Sequence, residues 1–276
     1  MRVNDILGIE PTFIEPSFDE LTMEAYTGMV LTQMGEEALL LVDQNNWPLA
    51  LGVRTGQRWN VANFILRPPG VEVIEKYEDL GGEVLRTTQE DWMVALREYF
   101  SYKLMEGTTP ALEELSPDRA AKVEDLLASV WRGRRGEVCL DCGCGSGMGS
   151  LVLQRLGLTP LAYDNDPTLL SLGLRKGRLI PKHTVCIDAA LASDYLPPQP
   201  LGLALMAGTI NDFTASMWKL ILEELLALSS ETLVTVETER EADMVSSWAR
   251  EVDSTVEKFE NDRDPFYDRW VCLIKN

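Results

Sequence analysis

Apolar residues recur along this chain in two rhythms, and the change between them divides it. Up to about residue 110 the pattern is mixed. Residues 18–34 have helical spacing, then short apolar runs at 38–42 and 49–53 flank the polar turn Gln44-Asn45-Asn46-Trp47-Pro48. Two such runs around a turn predict a β-hairpin. Arg67-Pro68-Pro69-Gly70 breaks the chain. Residues 73–80 predict a helix stopped at Gly81-Gly82, residues 84–86 a short strand, and residues 88–105 a longer helix with Trp92, Leu96, Tyr99 and Phe100 on one face. The expectation is a small α+β domain over residues 1–110, its aromatics forming a core and Gly107-Thr108-Thr109-Pro110 serving as linker.

From residue 111 the pattern alternates between short apolar runs and amphipathic stretches. Ser116-Pro117 predicts a helix start, with Ser116 as N-cap and Pro117 in the first turn. Val123, Leu126, Leu127, Val130 and Trp131 form its stripe, and Gly133 ends it. Arg132, Arg134 and Arg135 then complement its dipole. Apolar runs follow at 138–140, 158–163, 184–187, 201–206 and 233–236. Between them lie helical patterns at 148–156, 166–179, 190–195, 216–228 and 242–252, and two final strands at 255–259 and 269–274 flank the loop Asn261-Asp262-Arg263-Asp264-Pro265. Five strand–helix units imply a parallel sheet covered on both faces, closed here by a terminal hairpin. The predicted fold class is α/β: a doubly wound, mostly parallel seven-stranded sheet over residues 111–276, with the small α+β domain before it.

The first of these strands runs into Asp141-Cys142-Gly143-Cys144-Gly145-Ser146-Gly147, and the second ends in Asp164. Glycine at every second position lets the backbone turn tightly and approach a ligand where a side chain would collide. Strand, glycine loop, helix, strand and acid make a nucleotide-binding half-unit. The spacing excludes a dinucleotide fingerprint: from Gly143 and Gly145 the third glycine would fall on Met148, and from Gly145 and Gly147 on Ser150. A phosphate-binding P-loop is excluded because no Lys-Ser or Lys-Thr follows.

The string Asp141-x-Gly143-x-Gly145-x-Gly147 resembles motif I of the class I S-adenosylmethionine (SAM) dependent methyltransferases. Tyr163-Asp164-Asn165-Asp166-Pro167 is similar to the segment that follows in that family. The resemblance covers roughly residues 116–276. It implies that Asp141, Gly143, Cys144, Gly145 and Gly147 lie against the amino acid part of SAM, and that Asp164 takes the ribose hydroxyls. Tyr163 or Asn165 would flank the adenine, and Asp188 with Ala189 after the third strand would meet its edge. Ala207 opens the loop after the fourth strand, where Asn211 and Asp212 are candidates to position or deprotonate the methyl acceptor; capping the next helix is their alternative role. Glu237 and Glu239 are weaker candidates. That loop lacks the Asn-Pro-Pro-Tyr type string of amine-methylating relatives. An acid at a strand end facing a crevice is expected to be solvated before the cofactor arrives, so Asp164 should matter for binding rather than for folding.

Composition narrows the partners. The 44 acidic against 25 basic residues give a formal charge of −19, which argues against nucleic acid as main partner. The expected acceptor is a small molecule or a protein. The N-terminus lacks a signal-peptide pattern, and no apolar run approaches the ~20 residues that cross a bilayer. Five cysteines in 276 residues suggest reduced thiols and a cytoplasmic protein. Cys139, Cys142 and Cys144 are close together, but with one histidine and no second CxxC no metal site is expected. Two other readings stay open: an aminopropyltransferase-like enzyme, and a SAM-binding sensor or scaffold without turnover.

Overall fold

The structure, a computed structural model, describes residues 1–113 and 116–276. The chain divides into two compact units, Met1–Leu104 and Met105–Asn276.

The first unit begins with α1 (Val3–Leu7), β1 (Pro11–Phe13), a 3-10 turn at Phe18–Thr22 and α2 (Ala25–Leu31). It continues through β2 (Glu37–Val42), β3 (Pro48–Thr55), β4 (Arg58–Asn63), α3 (Val71–Leu80), β5 (Gly82–Arg86) and α4 (Gln89–Gly107), whose last residues pass into the second unit. The strands form one sheet in the order β1-β4-β3-β2-β5. The predicted hairpin is β2–β3, antiparallel. Residues 18–34 are not one helix, because Met23 is extended and ends the 3-10 turn before α2 starts. β4 escaped the sequence reading because its asparagines break the apolar run. In the structure the backbone and side-chain N–H groups of Asn63 are buried on the carboxylate of Glu15, which also pairs with Arg67, so these donors have a partner inside.

The second unit holds α5 (Arg119–Val130), β6 (Val138–Cys142), α6 (Met148–Arg155), β7 (Thr159–Asp164), α7 (Pro167–Arg175) and β8 (Thr184–Cys186). A 3-10 turn at Ala189–Asp194 leads to β9 (Gln199–Ala204), α8 (Ala215–Leu228), β10 (Ser229–Val236), α9 (Glu239–Glu251), β11 (Thr255–Glu260) and β12 (Trp270–Lys275). The seven strands run in the order β11-β12-β10-β9-β6-β7-β8. β12 is antiparallel to both neighbours, and the remaining pairs are parallel. Strand order reverses between β6 and β9, which places the glycine loop at the switch point where open α/β sheets bind ligands.

The α5 stripe packs as its spacing predicted: Val123, Leu126, Leu127 and Trp131 join Val152, Leu153, Leu201, Leu203, Leu233 and Val271 in one core. Its start differs. α5 begins at Arg119, with Asp118 at the cap position and making no side-chain cap bond. The Ser116 hydroxyl is turned to the Asp118 carboxylate instead of to the backbone of the first turn, so Ser116 is not the N-cap. Before the helix, residues 105–113 run along α7. The Arg175 guanidinium donates to the Met105 carbonyl, the Ser171 hydroxyl to the Thr108 carbonyl at 3.2 Å, and the Ala111 N–H to the Thr168 carbonyl at 3.0 Å.

Candidate cofactor site

The glycine loop bends through three left-handed residues, with φ +60° at Gly143, +52° at Gly145 and +83° at Gly147, a region that L side chains rarely adopt. The three do different work. A Cβ on Gly147 would stand 2.7 Å from Leu179, so this position is filled by the protein's own packing. On Gly143 a Cβ would meet nothing within 4 Å, and on Gly145 only Leu169 at 3.9 Å. The open sides of Gly143 and Gly145 leave room for a ligand against the backbone. Cys144 between them is buried, and its N–H donates to the Tyr163 carbonyl at 3.1 Å, tying the loop to β7.

Asp164 closes this arrangement. One carboxylate oxygen accepts from the Gly145 N–H at 2.8 Å and the other from the Asp166 N–H at 2.8 Å. Burial pushes its carboxyl above the ordinary value, against the pull of those backbone donors. The acid therefore folds the loop as well as facing the crevice, which corrects the expectation that it is merely solvated before a ligand arrives. Each oxygen keeps a further lone pair for a hydroxyl donor.

Asp141 lies beneath the loop and not against its open side. It is fully buried, and accepts from the Ser150 hydroxyl at 2.7 Å and from the Ser150 backbone, while burial raises its carboxyl to about 7. A Cβ on Gly149 would stand 2.7 Å from that carboxylate. Asp141 thus anchors the first turn of α6, and Gly149, which the sequence reading passed over, is the residue that lets it fit. Ser146 is fixed from outside. Its hydroxyl meets the Glu113 carboxylate and accepts from Arg178 at 2.9 Å, and Arg178 pairs with Glu113 at 2.7 Å. Although partial burial raises the Glu113 carboxyl, the Ser146 hydroxyl and the Arg178 guanidinium hold it below the ordinary range.

Of the two candidates to flank an adenine, Tyr163 is fully buried inside the sheet and cannot; Asn165 is exposed beside Asp164. Asp188 is exposed at the end of β8, and its carboxylate accepts from the Ala190 N–H at 2.9 Å, leaving Ala189 half-buried between them. Both lie at the same edge of the sheet as the glycine loop.

The loop after β9 carries Ala207, whose N–H donates to the Thr235 carbonyl at 3.0 Å. Asn211 and Asp212 take local roles. The Asn211 side chain accepts from the Phe213 and Thr214 N–H groups at 2.9 and 3.3 Å, ordering the approach to α8. Asp212 is 84% exposed and pairs with Arg240 at 3.1 Å. Both side chains are thus engaged within the protein. Glu237 is exposed, and Glu239 pairs with Lys258. The sequence reading missed Glu241, whose buried carboxylate accepts from the Ile210 N–H at 2.9 Å and closes a capping box with Thr238. The T-x-x-E spacing of Thr238 and Glu241 was a usable signal for it. Among the described residues no group of three His, Cys, Asp or Glu side chains is placed to hold a metal, and no helix is long and apolar enough to cross a membrane.

No protein-family profile and no curated protein matches the chain. Among solved structures it is similar to magnesium protoporphyrin IX methyltransferase from Synechocystis, with 12% identity, 67% of this chain and 97% of that one covered, and a TM-score of 0.48. It is similar to TrmN from Thermus thermophilus at 17% identity and TM-score 0.46, over 58% of this chain and only 52% of that one. It is also similar to a TehB-like SAM-dependent methyltransferase from Corynebacterium glutamicum at 21% identity and TM-score 0.42, over 56% and 86% of the two chains. By its own strand order and its single antiparallel insertion, the second unit has the fold of the class I methyltransferases.

Proposed function

We propose that the unit Met105–Asn276 binds SAM and transfers its methyl group to a small-molecule or protein acceptor. The observation that carries this reading is the Asp164 carboxylate bonded to the Gly145 N–H beside two glycines whose open sides face no protein atom closer than 3.9 Å. Such a cradle suits a ligand that presents a hydroxyl-bearing ring to a carboxylate and a narrow chain to the backbone. Gly143, Cys144, Gly145 and Gly147 would shape the loop around the amino acid part, Asp164 would accept from the ribose, and Asn165, Asp188 and Ala189 would border the base. Ala207 would border the sulfur end, and Asp141 would act from behind by holding α6.

SAM supplies a methyl group on a sulfonium, so the departing thioether needs no proton. The protein's part is orientation, which can contribute about 7–11 kcal/mol to such a displacement. That fits a site in which Asn211 and Asp212 are engaged in a turn and a surface pair. The formal charge of −19 favours a small-molecule or protein acceptor over nucleic acid. Incubating the protein with methyl-tritiated SAM and separated small-molecule, protein and RNA fractions of a cell extract tests this. Label should appear in one of the first two fractions. Label confined to RNA would overturn the acceptor assignment, and binding of the demethylated product S-adenosylhomocysteine with no transfer to any fraction would favour a sensor.

A further inference from the structure

The loop after β9 cannot hold its shape unaided. Met206 sits at φ +50°, where a non-glycine residue is strained unless its surroundings fix it. What fixes it is a chain of buried polar groups from other parts of the unit. The Met206 N–H donates to the Thr235 hydroxyl oxygen at 2.6 Å, and that hydroxyl donates to one Asp268 oxygen at 2.6 Å. The other Asp268 oxygen lies 3.0 Å from the Arg119 guanidinium, which is 3.7 Å from Asp264 and stacks 4.7 Å from the Tyr267 ring. Thr235 is 0%, Asp268 1%, Asp264 2% and Arg119 6% exposed. Further along the loop, a Cβ on Gly208 would stand 3.1 Å from the Trp218 ring, and the Ile210 N–H is held by Glu241.

The direction of this chain is fixed by its chemistry. A threonine hydroxyl has one proton. The Met206 N–H can only donate, so a lone pair of the hydroxyl faces it, and the one hydroxyl proton is directed to the Asp268 oxygen. Buried ion pairs add little to stability compared with apolar packing of the same volume. A four-member polar chain ending on one strained backbone N–H is better explained by what it positions.

We propose that Thr235, backed by Asp268 and Arg119, is a positioning residue that holds Met206 and Ala207 as the wall of the site at the sulfur end of the cofactor. This rests on the methyltransferase reading of the same site. The chain lies outside the glycine loop and Asp164, and it joins the β9–α8 loop to the β11–β12 loop and to the start of α5.

Thr235→Val removes the hydroxyl at nearly constant shape, and Thr235→Ser keeps it. Hydrogen exchange of the Met206 and Ala207 amides is measured in the unliganded proteins, with S-adenosylhomocysteine (SAH) dissociation constants and unfolding midpoints on the same preparations. In Thr235→Val, exchange at Met206 should accelerate by about tenfold or more and SAH binding should weaken by about five- to tenfold. Thr235→Ser should stay within about twofold of wild type on both, a rescue that loss of packing alone would not give. A Thr235→Val protein that binds SAH like wild type overturns the proposal, as does a Thr235→Ser protein as impaired as Thr235→Val. Should Thr235→Val not fold, Asp268→Asn replaces it, with the same two outcomes. Wild-type protein that fails to bind SAH refutes the methyltransferase reading, and the positioning role with it; unchanged exchange at Met206 in Thr235→Val refutes the chain alone.

Discussion

Replacing Asp164 with asparagine alters one oxygen of a carboxylate that has a backbone donor on each side. In the wild type, Gly145 and Asp166 each donate at 2.8 Å. Asparagine keeps one acceptor and turns an NH2 group toward the other donor, so one of these bonds is lost. A hydrogen bond to a charged group contributes about 1.5–3 kcal/mol. Part of that is offset, because burial raises the Asp164 carboxyl and the neutral amide escapes this desolvation. A net loss of about 1–2 kcal/mol corresponds to a melting point lower by about 2–8 °C for a domain of this size. On the proposed ribose role binding loses an acceptor as well, and at about 1.5–3 kcal/mol per charged bond the SAH dissociation constant should rise by about one to two orders of magnitude. Differential scanning fluorimetry of the unliganded variant and calorimetric titration with SAH read the two effects separately. A variant melting with the wild type would show that the carboxylate does not hold the loop. An unchanged dissociation constant would remove Asp164 from the ribose site.

Asp141 predicts a pH effect. Its carboxyl lies at about 7 in the fold against an ordinary 3.8, so between those values the native state holds a proton that the unfolded chain has lost. Stability from this group is full below about pH 4, falls as pH rises and is flat above about pH 7, a loss of up to about 4 kcal/mol. Asp141→Asn should flatten the melting profile between about pH 4 and 7 relative to wild type, and identical profiles would contradict the assignment. The two kinds of glycine should separate under substitution. Gly147→Ala meets Leu179 at 2.7 Å in a left-handed position and should lower the melting point through strain of about 1–3 kcal/mol. Gly145→Val has open space around the new side chain but carries the strain of the left-handed φ, so it should melt lower yet still fold by circular dichroism, and lose stabilisation by SAH; retained stabilisation would show that the ligand does not touch this loop.

The chain's local patterns made much of the second unit legible. A period of 3.6 marked α5, α8 and α9, apolar runs marked β6, β7, β9 and β10, and the glycine spacing marked the loop. Roles that depend on contacts far along the chain were not legible. Asp141 and Asp164 both end apolar runs near the loop, yet one is buried against Gly149 and Ser150 and the other faces the crevice. Only the packing of α6 distinguishes them. Tyr163 reads as a residue beside a ligand, but β7 is buried without a break from Pro160 to Tyr163. Asn211 and Asp212 occupy the expected loop, yet a local turn and Arg240 take up their side chains. Thr235 and Asp268 are 33 residues apart, and no spacing rule joins them. In the first unit β4 was hidden because its buried Asn63 donates to Glu15, a partner 48 residues away.

The glycine loop and Asp164 are proposed to form a SAM site. Isothermal titration of the wild-type protein with SAM, SAH and NAD tests it most directly. Saturable binding of SAM and SAH, with no heat from NAD, is the predicted result. Saturable binding of NAD without any signal from SAM or SAH would contradict it.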